Sequence, residues 1–479
     1  MTAQPQDAAL TVIQEQLWHL DARVDAAALN LSYALLIEGP LNAVALRDAL
    51  TDVIAAQSSL RTMYPERGGV PVVVVCDAAP FELTVVPVAD LAEAADLMWR
   101  ERESSFDLAR AIPIRVMLLA LDTYTHVLLV TLHHIAADGW SMQLLSVALS
   151  KAYRCRLSGT ASDLGRDVAD CLAVAAAQQD WLHSDAATAE RDWWIEHLAD
   201  TTPRWASTPV DHRPAMNLVR CVRTIPKPVV AELRSLARSG NVSMYALLLT
   251  AFGVVLGQRS PGQLRPVIGT LAANRPSLAA SQALGAHYNG LLLDVDLTGD
   301  PSLAECLFRT ASRTVSALDH QRLPFARVLA GLRHELGWKT GIPHATFLMD
   351  RYPMESLALA GCTVTGMYLE HDRRIPAATA SDLTFFVRET RDHLTVTGFG
   401  VPDLLGAAEL AEFTSAYLGT LTALCESAET PIAELESWIE EADPPGDHAP
   451  PRPPALHTII DISPADALSP MGHPSGVMT

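Results

Sequence analysis

The chain has 479 residues, 49% of them apolar and 19% charged, enough apolar side chain for two packed cores and too little charge for a disordered polymer. With 55 acidic against 35 basic residues the formal charge is −20, which argues against nucleic acid or an anionic membrane as partner. The 7 cysteines, odd in number and never in a Cys-x-x-Cys pair, point to free thiols in a reducing cytoplasm.

In chain order, the N-terminus lacks a basic region leading into an apolar core, so no signal peptide is expected. Residues 11–20 mix apolar and polar side chains around Trp18. Residues 31–38 read as a strand, and Asn42 caps a helix over 43–56 with Val44, Leu46, Leu50, Val53 and Ile54 on its buried side. The β-branched runs 70–76 and 82–88 predict strands, and 91–103 predicts a helix. Residues 125–132 then form an apolar strand that delivers His133-His134-Ile135-Ala136-Ala137-Asp138-Gly139 to the start of a helix over 142–153.

Two histidines at the end of a rigid strand, followed by a loop, are well placed for chemistry. A neutral imidazole can accept a proton near pH 7 if one tautomer and one ring orientation are held. Asp138, four positions after His134, can brace the loop, but a buried carboxylate needs a cationic partner from elsewhere in the chain. Gly139 removes a side chain where a substrate must approach, and its N–H at a helix start favours developing negative charge. A metal site would need a third ligand at a recognisable spacing, and none is present. A purely structural histidine pair is the remaining alternative.

Beyond this motif, 158–165 is rich in Ser, Gly and other small or polar residues and reads as a loop between lobes. A second half begins after the Pro-containing stretch 201–214. It holds helices over 228–239 and 243–256, the latter apolar all round and therefore central, with strands expected at 344–350 and 381–387. A last long helix is expected over 409–428. From Ala442 the composition shifts to Pro, Gly, Asp and His.

The stretch His133 to Gly139 resembles the HHxxxDG signature of nonribosomal peptide synthetase condensation domains, in the chloramphenicol acetyltransferase-like superfamily. The fuller HHIAADGWSM is closer to the peptide-bond-forming branch than to epimerisation domains. Gln14, Leu17 and Trp18 are similar to the first family motif, Leu60-Arg61-Thr62 to the second and His320-Gln321-Arg322-Leu323-Pro324-Phe325 to the sixth. In the fifth, Gly285 and Asn289 match while Ala286, His287, Tyr288 and Gly290 depart; of the fourth only Asp170 stands clearly.

The resemblance implies an α/β fold of two chloramphenicol-acetyltransferase-like lobes, a V-shaped pseudo-dimer with a central tunnel. Residues 1–165 would form the N-terminal lobe, 166–440 the C-terminal lobe and 441–479 a Pro-rich, disordered tail. It implies His134 as the functional imidazole, His133 as structural, Arg61 as the cation paired with Asp138, and the Gly139 N–H as an oxyanion donor. Trp140, Ser141, His287, Asn289 and Gln321 would line the substrate channel, His287 adding a titratable group there.

The activity implied is that of a free-standing condensation enzyme. It would join an aminoacyl or peptidyl thioester, presented on the phosphopantetheine of a carrier protein in trans, to an amine or hydroxyl nucleophile, forming an amide or ester in nonribosomal peptide biosynthesis. No bound cofactor or metal and no nucleic-acid or membrane partner is expected, and the chain would be a cytoplasmic monomer. Two other readings stay open: an acyl-CoA-dependent acyltransferase of the same superfamily, and a non-catalytic condensation-like domain that recruits partner enzymes.

Overall fold

Strands that alternate with long amphipathic helices need sheets covered by helices, and the chain builds two such sheets. The computed structural model describes residues 3–5, 8–23, 26–164, 170–201, 203–204, 218–260, 262–338, 343–351, 356–367, 381–389, 393–402 and 404–435. The tail expected over 441–479, most of the stretch 201–214 and the N-terminal part of the fourth-motif segment lie outside them.

The first half opens with α1 (Val12–Asp21), where the Thr11 and Gln14 side chains each accept the other's backbone N–H in a capping box. It continues through β1 (Asn30–Glu38), α2 (Ala43–Ala56), β2 (Thr84–Pro87), α3 (Leu91–Glu103), β3 (Ile114–Ala120), β4 (Thr125–His133) and α4 (Gly139–Leu157). Asn42 caps α2 as expected, its Oδ1 accepting the Ala45 N–H at 2.9 Å. Val44, expected inside, is 58% exposed, because it falls on the helix face opposite Leu46, Leu50 and Val53. The run 70–76 is broken into Val70–Pro71 and Val74–Cys76, since Pro71 has no N–H to continue a ladder.

The second half comprises α5 (Cys171–Leu182), α6 (Asp185–Leu198), β5 (Val219–Ile225), α7 (Lys227–Ser239), α8 (Met244–Gln258), β6 (Val267–Ala272), α9 (Leu278–Gln282) and β7 (Asn289–Asp294). There follow α10 (Leu303–Asp319), α11 (Phe325–Leu336), β8 (Ala345–Arg351), β9 (Thr363–Met367), β10 (Leu383–Glu389), β11 (Leu394–Gly400) and α12 (Ala407–Glu426).

One sheet has five strands in the order β9-β1-β4-β3-β2, and the other has six in the order β5-β11-β10-β8-β6-β7. β9 comes from the second half of the chain yet pairs antiparallel with β1, Gly366 opposite Leu35. β4 is buried from Val127 to His133 because α2 and α4 cover one face of its sheet and α3 the other, which explains its unbroken apolar run. In the second sheet β6, β8 and β10 run parallel and α8 lies across them, buried at every residue from 246 to 256. Phe252 on α8 meets Phe347, Phe385 and Phe413 at ring separations of 5.3, 5.1 and 5.5 Å. Among the described residues no single helix is long and apolar enough to cross a membrane.

The approach of α8 to the chain just after β7 depends on a missing side chain. A methyl group at Gly253 would lie 2.3 Å from Cγ2 and 2.6 Å from Cβ of the buried Val295. Alanine in place of a helix glycine ordinarily stabilises by about 1 kcal/mol. Here the overlap outweighs that gain, and Gly253→Ala should lower stability by about 1–3 kcal/mol in denaturant titration. An unchanged or raised midpoint would mean that α8 can shift away from Val295.

Candidate active site

His133 closes β4 and is fully buried. Its Nδ1 accepts the Ile135 N–H at 3.1 Å, so the proton sits on Nε2, which donates to Asp21 Oδ1 at 3.2 Å. With both nitrogens engaged, this ring braces the loop against the end of α1. The Gln14 amide, donating to Ile135 O at 3.1 Å, adds a second tie to the same helix.

His134 has the complementary tautomer. Its Nδ1 lies 2.9 Å from Ala137 O, and a carbonyl can only accept, so Nδ1 carries the proton and Nε2 keeps its lone pair. No group among the described residues bonds Nε2. The residue is half-buried, and its backbone N–H donates to Leu29 O at 2.8 Å. Burial lowers the pKa below the ordinary histidine value, although Ala137 O and Asp138 pull it back, so the imidazole is neutral at pH 7.

Asp138 caps α4: its Oδ1 accepts the Ser141 N–H at 2.9 Å, while its Oδ2 accepts the His287 N–H at 3.1 Å. Arg275 Nη2 lies 2.7 and 2.8 Å from the two carboxylate oxygens, and both side chains are 4% exposed. Arg275 Nη1 donates to Ala280 O at 2.9 Å and Ala283 O at 2.6 Å. Burial opposes the charge on Asp138, but Arg275 leads the interactions that hold its carboxyl below the usual range.

The expected pairing of Arg61 with Asp138 is therefore corrected. Arg61 ends the short helical turn after α2, where its Nη1 donates to Cys76 O at 2.6 Å. The cation that reaches Asp138 comes instead from the loop after β6, in the other half of the chain. A signal for it was present: in Asn274-Arg275-Pro276 an arginine stands three residues past a largely buried strand and has no helical surface on which to be solvated.

The expected oxyanion donor, Gly139, and the residues expected along a channel divide into two groups. Gly139 and Trp140 face solvent; nothing lies within 4 Å of a Cβ built at Gly139, and the Trp140 indole donates to Ser281 O at 2.9 Å. Ser141, Asn289 and Gln321 turn their polar groups into the protein. The Ser141 hydroxyl, wholly buried, lies 2.8 Å from Asp138 Oδ1 and from Gly285 O and accepts the Gly285 N–H at 3.0 Å. Asn289 Nδ2 donates to Gln321 O at 2.9 Å and Leu323 O at 2.7 Å, its Oδ1 accepts the Phe325 N–H at 2.9 Å, and Gln321 Oε1 accepts the Asn274 N–H at 2.9 Å. The connection between α10 and α11 would otherwise bury these backbone groups without partners.

His287 is 4% exposed, and its Nε2 stands 2.7 Å from where a Cβ of residue 285 would be, which requires the glycine there. Burial, then Arg275, brings its pKa down to about 4, so it adds no charge at neutral pH. The neighbour that meets His134 is Tyr288, with ring centroids 4.7 Å apart at 37°. Two surface clefts, of about 250 Å³ beside Arg115 and about 600 Å³ beside Tyr245, do not touch the histidine loop.

A family model described as Condensation domain matches residues 4–399. A linear gramicidin synthase polypeptide of Brevibacillus parabrevis is 27% identical over 442 residues, covering 89% of this chain and 6% of that protein. The chain thus spans a small part of that curated relative. The X-domain from teicoplanin biosynthesis superposes with a TM-score of 0.75 at 24% identity, covering 90% of this chain and 98% of that one, and an X-domain in complex with OxyB superposes at 0.73, with 24% identity and coverage of 91% and 97%. The first condensation domain of the calcium-dependent antibiotic synthetase, in complex with a substrate analogue, gives 0.72 at 20% identity, with coverage of 89% and 98%. These structures bear on the fold alone.

Removing Arg275 leaves Asp138 buried without its cation, so Arg275→Ala should cost about 3–5 kcal/mol. A double-mutant cycle by chemical denaturation reads the pairing directly. Arg275→Ala and Asp138→Ala together should cost far less than their sum, whereas Arg61→Ala and Asp138→Ala should add; the opposite pattern would return the bridge to Arg61.

Proposed function

The chain belongs to the condensation-domain family, and from that membership we propose that it joins an acyl group, held as a thioester on the phosphopantetheine of a carrier protein, to an amine or hydroxyl nucleophile. The observation that carries this reading is the state of His134: proton fixed on Nδ1 by Ala137 O, and Nε2 unbonded beside an open helix start at Gly139. An imidazole held in that tautomer can receive the nucleophile's proton without reorienting.

The nucleophile attacks the thioester carbonyl as His134 Nε2 takes its proton. The tetrahedral oxyanion is stabilised by N–H groups at the start of α4, with Gly139 the candidate donor because no side chain stands in front of it. Collapse of the intermediate breaks the C–S bond, and Nε2 returns the proton to the thiolate. Asp138 stays ionised throughout and acts by shaping the loop. The acyl donor would arrive on carrier proteins in trans.

A second reading has one observation in its favour: the likeness to an X-domain, which has been solved in complex with OxyB. On that reading the chain is a docking platform for a partner enzyme and His134 has no chemical role.

His134→Ala separates the two. Loss of a positioned acid–base group should reduce product formation by roughly 10²-fold or more with the circular dichroism spectrum unchanged. Turnover within a few-fold of the parent would mean that His134 is not the base, and binding of a partner enzyme with no turnover by parent or variant would favour the docking reading. The pH profile offers another check: His134 acts in its neutral form and its pKa is lowered, so the acid limb of kcat/KM should fall below the ordinary histidine value of about 6.5. An acid limb at or above that value would mean another group is titrating. Offering one acyl group on a carrier and on CoA tests the donor, and equal efficiency would place the enzyme with the acyl-CoA-dependent acyltransferases.

A further inference from the structure

The histidine loop is held at its first residue by the last residue of α1. Asp21 Oδ1 accepts the His133 Nε2–H at 3.2 Å; His133 is fully buried, and the Asp21 side chain is 20% exposed. α1 itself has little freedom. Its cap Thr11 donates through Oγ1 to Ala286 O at 3.2 Å, the Val12 N–H is received by the Gln178 side chain at 2.9 Å, and the Trp18 indole donates to Tyr64 O at 3.1 Å. Two of these ties are to the second half of the chain, so the helix delivers Asp21 to a place fixed by both halves.

The carboxylate reaches His134 through the polarity of successive hydrogen bonds. A carboxylate oxygen accepts a hydrogen bond and does not donate one, so Asp21 selects the His133 tautomer with its proton on Nε2. That leaves Nδ1 to accept the Ile135 N–H at 3.1 Å, and the Ala136 N–H closes the same turn on His133 O at 3.0 Å. In the other tautomer an N–H would face the Ile135 N–H, and that bond would be lost. His134 lies inside this turn, with its Nδ1 proton held by the carbonyl at the far end, Ala137 O. The tautomer of the first histidine therefore controls the backbone that orients the second.

We propose that Asp21 is a positioning residue for His134. By selecting the His133 tautomer it keeps the turn 133–137 in the form that fixes the His134 proton on Nδ1 and leaves Nε2 as the acceptor. Its consequence for turnover rests on the condensation reading above, whereas the protonation of the two rings does not.

The test uses the full chain, labelled with nitrogen-15 in its histidine rings, as the parent, Asp21→Asn and Asp21→Ala. Asparagine keeps an oxygen that can accept the Nε2–H, and alanine offers none. The His134 signals are identified by their loss in His134→Ala. In the parent and in Asp21→Asn they should show one protonated nitrogen, Nδ1, and one unprotonated nitrogen, Nε2. In Asp21→Ala the two signals should move toward each other as the tautomers exchange. In the condensation assay Asp21→Ala should lower kcat roughly tenfold, with KM within about twofold of the parent, and Asp21→Asn should restore it. A residue that only adds stability would lower the melting temperature and leave both the tautomer and kcat alone. Parent-like His134 signals in Asp21→Ala, an Asp21→Ala chain that does not fold, an Asp21→Asn chain that behaves like Asp21→Ala, or shifted signals with an unchanged kcat would each overturn the proposal. Because the nitrogen signals are read without substrate, a chain that turns nothing over would defeat the condensation reading while the tautomer result stands or falls by itself.

Discussion

The buried ion pair of Asp138 and Arg275 is the constraint on which the site depends. An isolated charge at that depth would cost several kcal/mol, and even a paired one need not outperform an apolar contact of equal volume. What distinguishes this pair is how fully its oxygens are used. The carboxylate receives the Ser141 and His287 N–H groups as well as the guanidinium, so it joins the start of α4, the loop after β6 and the segment before β7. Displacing any one of these would leave a buried charge short of partners, and the network therefore holds both halves of the chain in register around the histidine loop.

Within that frame two adjacent histidines are given opposite tasks by their hydrogen bonds alone. An amide N–H on Nδ1 sends the proton of His133 to Nε2 and commits the ring to Asp21. A carbonyl on Nδ1 keeps the proton of His134 there and leaves Nε2 as a base. The same residue type becomes a strut or a candidate catalyst according to whether its first neighbour donates or accepts. Burial favours the neutral form of His134, which is the form a proton acceptor needs, and the open space in front of Gly139 lies at the helix end that tolerates a negative charge.

Much of this was legible in the amino-acid sequence, because much of it is local. An apolar run ending in two histidines, then an aspartate and a glycine, reads as strand, loop and helix start; Asn42 caps α2, and the all-round apolar stretch 243–256 becomes the buried helix α8. Such features depend on residues within one or two turns of each other, so periodicity and capping record them. The tertiary structure alone decided which cation meets Asp138, that Tyr288 and not His287 lies on His134, that Asn289 and Ser141 face inward, and that β9 joins the sheet of β1. Each of these joins positions more than 30 residues apart, and most join more than 130. Which partner is reached over such a separation is set by how helices and sheets pack, and a one-dimensional pattern of residue types carries no record of that distance.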